Sequence, residues 1–370
     1  MTVESLETDR LMAVASRFLP PSCRAEVREF GNGNINKTYL VTPENGQGEP
    51  FVLQQLNTAV FKRPDLVMRN IRAIARHLEA RATGGALARR WEVPHVRLTR
   101  EGADHWQAED GSYWRALRFI EPSRTVDTVR DPELAREVGV ALGTFHALLS
   151  DLPVEELADT LPGFHIAPEY LAHYDRVAPS STDSLSAEEA WCARFVEEHR
   201  DWVPVLERAR ERGLLRVRPI HGDPKVNNIL FDHASGRAVA LVDLDTVKPG
   251  LVQYDIGDCM RSSCNPDGEE TERWQDVRFD PELAKALLEG YLEVARGFFE
   301  EADFDFLPDS FRLIAFELGL RFFADHLAGD VYFKVSRHGQ NLARALVQFR
   351  LAESVDERFD ELKAIVQALR

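Results

Sequence analysis

Two segments of the sequence are the most informative about the fold: Ile220-His221-Gly222-Asp223-Pro224-Lys225-Val226-Asn227-Asn228-Ile229-Leu230 and, after it, Val242-Asp243-Leu244-Asp245. Four residues separate Asp223 from Asn228, so one loop presents a carboxylate that can accept a proton and an amide that can hold a metal ion. Asp243 ends an apolar run at 238–242, and a carboxylate delivered by a buried strand suits Mg²⁺. The pattern indicates a catalytic centre with Asp223 as proton acceptor and with Asn228 and Asp243 as metal ligands.

A plain β-turn is the alternative interpretation of residues 221–224, because Gly, Asp and Pro are residues that build turns. A turn alone requires neither Asn228 at this spacing nor a second strand that ends in Asp243. The combination therefore favours an enzyme that transfers a phosphoryl group to a substrate hydroxyl. Asp245 has two interpretations, a second metal or substrate ligand and a structural hydrogen bond, whereas His221 is expected to shape the loop.

The size and charge of the chain limit its class. At 370 residues and 42.0 kDa, two domains are expected. The net charge of −16 opposes binding to nucleic acid and to anionic membranes, so neither is expected as a partner. The sequence has no long apolar stretch and begins with polar residues, which predicts a cytoplasmic protein. The four cysteines form no C-x-x-C pair, so reduced thiols are expected.

The first third of the chain alternates between short apolar segments and turns rich in Gly and Asn. A helix is predicted over residues 6–19, and Pro64 opens a second helix whose apolar residues share one face. Strands are predicted at 25–30, 37–42, 51–56, 93–96 and 114–120. The pattern breaks at Phe119-Ile120-Glu121, which we expect to be the hinge that contacts adenine.

Beyond residue 121 helical periodicity dominates, and the catalytic strands interrupt it. Helices are predicted over 132–150, 187–212, 281–299 and 310–327, with a final helix from 341 onward. The predicted fold is α+β: a protein-kinase-like two-lobed fold with a small antiparallel β N-lobe containing one main helix and a larger, mostly helical C-lobe. We expect residues 1–120 to bind nucleotide and residues 121–370 to carry the catalytic loop and bind the substrate.

Laid out in this way, the chain resembles the aminoglycoside phosphotransferase and choline kinase superfamily, and within it the N-acetylhexosamine 1-kinase branch. The catalytic loop and Asp243 carry the resemblance to the superfamily. The blocks that carry the resemblance to the sugar 1-kinase branch are Leu53-Gln54-Gln55, Asp243-Leu244-Asp245-Thr246 and Gly329-Asp330-Val331-Tyr332-Phe333.

The resemblance implies an ATP- and Mg²⁺-dependent kinase whose partners are a nucleotide and a sugar phosphorylated at its anomeric hydroxyl. Asp223 would contact and deprotonate that hydroxyl, while Arg321 and Tyr332 would hold the sugar. Asn228 and Asp243 would hold Mg²⁺. The residues expected to bind ATP are Gly31, Gly33, Asn34, Asn36, Thr38, Gln54, Phe119, Ile120 and Glu121.

One position departs from most kinases, since Gln54 stands where the third strand normally presents a lysine to the phosphates. A neutral amide can donate a hydrogen bond but cannot offset phosphate charge, so metal ions are expected to supply more of the stabilisation. Two alternatives stay open. The first is another small-molecule kinase, acting on choline, homoserine, a simple hexose or an aminoglycoside. The second is an inactive nucleotide-binding regulatory protein, which the missing lysine suggests.

The sequence also suggests roles for several residues outside the catalytic loop. Arg321 could instead form an ion pair with Asp325, four residues later on the same helix. Asp255 is expected to brace the catalytic loop, and His146 is expected to pack in the core. The pair Phe164-His165 lies in a predicted loop that could line the sugar pocket.

Overall fold

The computed structural model describes residues 3–31, 35–83, 89–178 and 185–370. The predicted nucleotide contacts Gly33 and Asn34 lie outside the described residues. The chain divides into two compact units, of which the first comprises residues 1–123 and 155–161 and the second comprises residues 124–154 and 162–370.

The first unit is built on an antiparallel sheet with the strand order β1-β2-β3-β6-β4, and β5 pairs with β6. Apolar residues at alternate positions of β3, among them Phe51 and Leu53, are fully buried. Gln54 points to the other face of the sheet. The elements are α1 (Val3–Ala15), β1 (Ala25–Glu29), β2 (Lys37–Pro43), β3 (Phe51–Leu56), α2 (Pro64–Thr83), β4 (Val96–Arg97), β5 (Trp106–Gln107) and β6 (Tyr113–Arg118).

The second unit is mostly helical. Helix α3 packs along α8, and Gly139 makes this possible because a Cβ there would overlap the Leu287 carbonyl oxygen. The helices are α3 (Pro132–Leu149), α4 (Ala167–Val177), α5 (Ala187–Glu198), α6 (Val205–Glu211), α7 (Val252–Ser263), α8 (Pro281–Ala295), α9 (Glu301–Asp305), α10 (Leu307–Leu327), α11 (Gln340–Glu357) and α12 (Phe359–Leu369).

Four short strands of this unit carry the segment predicted to be catalytic. They are β7 (Arg218–Ile220), β8 (Ile229–Phe231), β9 (Ala238–Leu241) and β10 (Lys248–Gly250). Strand β7 pairs with β10 and β8 pairs with β9, both antiparallel. Helix α7 follows β10 directly and is buried along its whole length, so it forms a fixed support beneath the loops that these strands connect.

The predicted α+β class, with a small antiparallel sheet, one main helix beside it and a larger helical part, is confirmed. The helix predicted over 187–212 is wrong, because the chain forms α5 and α6 with Pro204 between them, and proline lacks the N–H that a helix interior requires. The strand predicted at 93–96 is displaced to β4. No helix of the described residues is both long enough and apolar enough to span a membrane.

Candidate active site

The predicted catalytic loop runs from His221 to Asn228 between β7 and β8, and its first turn depends on a glycine. Gly222 has a φ of +85°, a left-handed conformation that glycine adopts without strain. A Cβ at this position would lie 2.7 Å from the Thr246 carbonyl oxygen. The Thr246 hydroxyl donates to the His221 carbonyl oxygen at 2.9 Å. The loop is therefore held against the segment that follows Asp243.

Asp255 of α7 holds the start of this loop, as predicted. Its carboxylate accepts hydrogen bonds from the backbone N–H groups of His221 at 2.6 Å and Gly222 at 2.8 Å. Nε2 of His146 lies 2.8 Å from the same carboxylate. Burial alone would raise the pKa of Asp255, but the hydrogen bond from His146 lowers it below its ordinary value. The group is an anion that ties α3 and α7 to the loop.

His221 shapes the loop, as the sequence predicts, and does so as a neutral ring. Its Nε2 donates to the Val242 carbonyl oxygen at 2.9 Å, which leaves Nδ1 to accept the N–H of Asp223 at 3.2 Å. Burial lowers the pKa of His221 below its ordinary value, in agreement with this tautomer. The ring is committed to the backbone on both sides and is not placed as a proton acceptor for a substrate.

Asp223 lies next to a cation that the sequence analysis did not single out. Nζ of Lys225 is 2.8 Å from Oδ2 of Asp223, and the Asn228 amide nitrogen is 3.2 Å from the same oxygen. Although burial alone would raise the pKa of Asp223, the Lys225 ammonium group lowers it below its ordinary value. The carboxylate is therefore held as an anion that can accept a proton. The Asp-x-Lys spacing in the sequence was the signal for this pair.

One of the two predicted metal ligands, Asn228, accepts a hydrogen bond at its carbonyl oxygen from the N–H of Val242, the residue before the other predicted ligand Asp243, at 2.8 Å. Asn228 donates to Asp223 through its amide nitrogen, so its amide oxygen is the atom that suits a cation. Asp243 lies two residues after β9, has a left-handed φ of 64° and is exposed, whereas Asp245 is only 2% exposed.

This donor set fits Mg²⁺, which prefers hard oxygen ligands and is commonly held by one or two protein groups together with substrate phosphates. Within the described part of the chain, no group of three or more His, Cys, Asp or Glu side chains could hold a metal ion. Asn228 and Asp243 suit a metal ion whose other ligands are the phosphate groups of a bound substrate. The exposure of Asp243 favours it over the buried Asp245 as the ligand.

The predicted sugar contact Arg321, on α10, lies among aromatic rings. Its guanidinium carbon is 5.0 Å from the centres of the Phe164 and Tyr170 rings and 5.4 Å from that of Phe333. Burial alone would lower the pKa of Arg321, but Tyr170 and the carboxylates of Glu317 and Asp223 raise it, among other neighbours. Arg321 is therefore a permanent cation within the electrostatic range of Asp223.

The alternative ion pair between Arg321 and Asp325 is not formed, because Asp325 has other partners. Its carboxylate accepts the backbone N–H groups of Val331 at 3.0 Å, Tyr332 at 2.8 Å and Phe333 at 2.9 Å. Asp325 thus fixes the segment that presents Tyr332, whose side chain is exposed. Three N–H groups around one carboxylate are a strong local anchor.

In the first unit, the structure joins Gln54 to two neighbours across the sheet. Oε1 of Gln54 accepts from Nε of Arg115 at 2.9 Å and from Nη2 of Arg115 at 2.7 Å, and its Nε2 donates to Thr38 at 3.2 Å. Arg115 is fully buried on β6, and the sequence analysis did not identify it. A cation from the neighbouring strand therefore lies next to the position where most kinases carry a lysine.

The other predicted nucleotide contacts are distributed over this unit. The ring of Phe119 meets that of Phe30 edge to face at 5.6 Å, which brings the predicted hinge next to the residue that precedes Gly31. Asn36 accepts the N–H of Asn57 at 3.0 Å, so its side chain supports the backbone. Ile120 is buried and Glu121 is exposed. Their contacts with a nucleotide stay predictions.

Comparison with known proteins gives a family and a set of similar folds. Residues 26–307 match the model described as the phosphotransferase enzyme family. A microcompartment-associated aminopropanol kinase is 16% identical, with a TM-score of 0.62 over 97% of this chain and 98% of that chain. The choline kinase of Cryptosporidium parvum Iowa II is 14% identical, with a TM-score of 0.61 over 98% of this chain and 99% of that chain.

A spectinomycin phosphotransferase, solved with ADP and spectinomycin, is 14% identical with a TM-score of 0.54 over 98% of both chains. At these identities the comparisons show a shared fold, and the α+β architecture predicted from the sequence agrees with it. The identity of the acceptor must be argued from the residues of this chain.

Proposed function

The chain belongs to the phosphotransferase enzyme family, and from that premise we propose that it transfers the γ-phosphate of ATP to the anomeric hydroxyl of an N-acetylhexosamine. The observation that carries the proposal is the Asp223 carboxylate, held as an anion by Lys225 at 2.8 Å and by the loop that Asp255 braces. Nucleotide binding by residues 1–120 and catalysis by residues 121–370 are parts of the same proposal.

Asp223 has the properties of a general base for a hydroxyl group. Its pKa lies below the ordinary value, so it is unprotonated at neutral pH, and it can orient the hydroxyl in line with the phosphate. Lys225, beside it, would balance the negative charge on the phosphoryl group in transit. Asn228 and Asp243 would hold Mg²⁺, which would supply positive charge to offset that of the phosphates.

The charge of Arg321 supports a sugar over the cationic acceptors among the alternatives. A guanidinium group among Phe164, Tyr170 and Phe333 occupies the kind of aromatic cluster that could otherwise bind an ammonium group. Choline or an aminoglycoside would place a second cation beside it, which is unfavourable where charges are poorly solvated. A neutral acceptor with several hydroxyl or amide oxygens pairs well with the guanidinium N–H groups.

The retention of Asp223, Asn228 and Asp243 supports catalysis over the inactive regulatory alternative. That alternative was suggested by the missing lysine, and Arg115 now provides a cation next to Gln54. A simple hexose stays the nearest competing acceptor, because the same guanidinium group would bind its hydroxyls.

The test is a panel of acceptors with ATP and Mg²⁺, followed by NMR of the product. We expect N-acetylglucosamine or N-acetylgalactosamine to be consumed, and the anomeric proton of the product to be split by coupling to phosphorus. The reducing end should disappear with the same time course. A 6-phosphate product, or turnover of choline or an aminoglycoside with no turnover of any hexose, would contradict the sugar 1-kinase assignment.

A further inference from the structure

His165 contacts the peptide bond that immediately precedes Asp223. It lies in the loop between α3 and α4 and is 4% exposed. Its Nε2 is 2.7 Å from the Gly222 carbonyl oxygen, and its Nδ1 is 3.0 Å from Oε1 of Glu317 on α10. The other end of the same peptide, the N–H of Asp223, is held by His221 at 3.2 Å. Two histidines therefore hold the two polar ends of one peptide group.

The partners of His165 define its protonation state. A carbonyl oxygen and a carboxylate both accept hydrogen bonds, so both ring nitrogens must donate and the ring is an imidazolium ion. Burial alone would lower the pKa of His165, but the carboxylates of Glu317 and Asp258 and the hydrogen bond to Gly222 raise it above its ordinary value. His221, with one donor and one acceptor position, is the neutral counterpart.

The groups that face His165 come from two helices besides its own loop. Glu317 belongs to α10, while Asp258 and Tyr254 belong to α7. The Tyr254 ring stacks on the imidazole at 5.4 Å, and its hydroxyl donates to Glu207. Burial raises the pKa of Tyr254, so it stays neutral. The imidazolium therefore lies near two carboxylates and the two neutral rings of Tyr254 and Phe164, the second at 4.1 Å, a combination that stabilises its positive charge.

We propose that His165 is a positioning residue, which as an imidazolium ion fixes the plane of the Gly222–Asp223 peptide and thereby aims the Asp223 carboxylate. The proposal rests on the proposed role of Asp223 as the base. Gly222 has no side chain, so its backbone rotation is restrained mainly by the partners of its peptide groups. If its carbonyl oxygen lost the donor from His165, the peptide could rotate and carry Asp223 out of line with the acceptor hydroxyl.

Two substitutions separate this role from simple packing, because each retains one of the two ring contacts. In His165→Gln the amide nitrogen reaches the place of Nε2 and can still donate to Gly222. In His165→Asn the shorter amide reaches the place of Nδ1 and can donate to Glu317, but the contact with Gly222 is lost. His165 has a φ of 65°, and asparagine tolerates that conformation better than glutamine does. Backbone strain should therefore destabilise His165→Gln more than His165→Asn, although we expect His165→Asn to be the less active variant.

We expect His165→Asn to lower kcat by about 10- to 100-fold, as a small displacement of a reacting group does, with the ATP KM close to wild type. Both variants should lower the Tm, because each leaves the buried Glu317 carboxylate without its cationic partner. We expect His165→Gln to retain a kcat close to that of wild type. Equal losses of kcat in the two variants, or a wild-type kcat in His165→Asn, would overturn the proposal. ATP consumption is measured with each acceptor that the wild-type enzyme uses and also with water alone, so the comparison does not depend on a sugar being the acceptor.

A spectroscopic measurement tests the charge without turnover and applies even if a variant fails to fold. In wild-type protein labelled with ¹⁵N in its histidine rings, the His165 signals are identified by their loss in His165→Gln or by contacts to Glu317. At a pH of about 7.5, roughly one unit above the ordinary imidazole pKa of about 6.5, we expect both ring nitrogens of His165 to carry protons. A singly protonated His165 ring at that pH would overturn the imidazolium bridge, whatever the acceptor proves to be.

Discussion

The loop that carries Asp223 and the strand that carries Gln54 both place polar groups among buried side chains, but they balance charge differently. Around Asp223, carboxylates and cations alternate, with Lys225 on Asp223 and Arg261 on Asp258 at 2.8 Å each. Around Gln54, a neutral amide accepts both hydrogen bonds from Arg115. The first arrangement keeps a reactive carboxylate charged, and the second holds a cation in place without neutralising it.

This difference determines which substitutions each region can tolerate. A charged network loses function when one partner changes, because the remaining charge is left buried without its counter-ion. An amide that orients a cation can be exchanged for another acceptor of the same shape more easily.

The largest effect is expected for Asp223→Asn, which preserves size but removes the proton acceptor. Turnover should fall by about 10²- to 10⁴-fold, the usual loss of a general base. Nucleotide affinity and the circular dichroism spectrum should change little. Turnover is measured by coupled ADP release and affinity by calorimetry. Near-normal turnover in the purified variant would remove Asp223 from the catalytic role.

A smaller effect is expected for Asp243→Ala, which removes a proposed metal ligand two residues after β9. The Mg²⁺ concentration that gives half-maximal activity should rise, and Asn228→Ala should shift it in the same direction, since each removes one oxygen donor. Asp276→Ala is the matched control, because that carboxylate is 64% exposed at the surface. An unchanged Mg²⁺ titration in both variants, with the control also unchanged, would show that the metal is held elsewhere.

The sequence correctly predicted the elements whose boundaries depend only on residues close by in the sequence. Gly and Asn turns bound β1, β2 and β3, so these strands were predicted to within about one residue, inside the usual boundary error. The brace formed by Asp255 was also predicted. The split at Pro204 had a visible signal, because proline interrupts a helix, and so did Lys225, two residues after Asp223.

The contacts that were missed join residues far apart in the sequence. Gln54 and Arg115 are 61 residues apart and meet because β3 and β6 pair in a register that no local pattern specifies. His165 is 57 residues from Gly222 and 152 residues from Glu317. The sequence allowed Phe164-His165 to line the sugar pocket, and the structure places Phe164 beside Arg321 while His165 bonds to the Gly222 carbonyl oxygen. Helix packing decides the contacts of Phe164 and His165, and strand pairing decides that of Gln54.

A moderate effect is expected for Arg321→Ala, which removes a cation on α10, outside both the loop of Asp223 and the strand of Gln54. It should raise the sugar KM by about 10- to 100-fold, the range for losing a hydrogen bond to a charged group, and leave the ATP KM nearly unchanged. Arg216→Ala is the control, because that side chain is 71% exposed in an ion pair with Glu300. A parallel rise in both KM values would indicate that Arg321 acts on the fold and not on the acceptor.

The smallest effect is expected at Gln54, where substitution by lysine should lower the stability and substitution by glutamate should not. Gln54→Lys would place a second cation within hydrogen-bonding distance of the fully buried Arg115, and the repulsion should cost about 1–3 kcal/mol of unfolding free energy and lower the Tm by a few degrees. Gln54→Glu keeps the acceptor for Arg115, and Thr38 can then donate its own hydroxyl proton, so the Tm should stay near that of wild type. Thermal unfolding of both variants, with Gln55→Lys as the control on the same strand, provides the measurement. A Gln54→Lys protein as stable as wild type would mean that this position accommodates the lysine found in most kinases, and that Arg115 is not the reason for its absence.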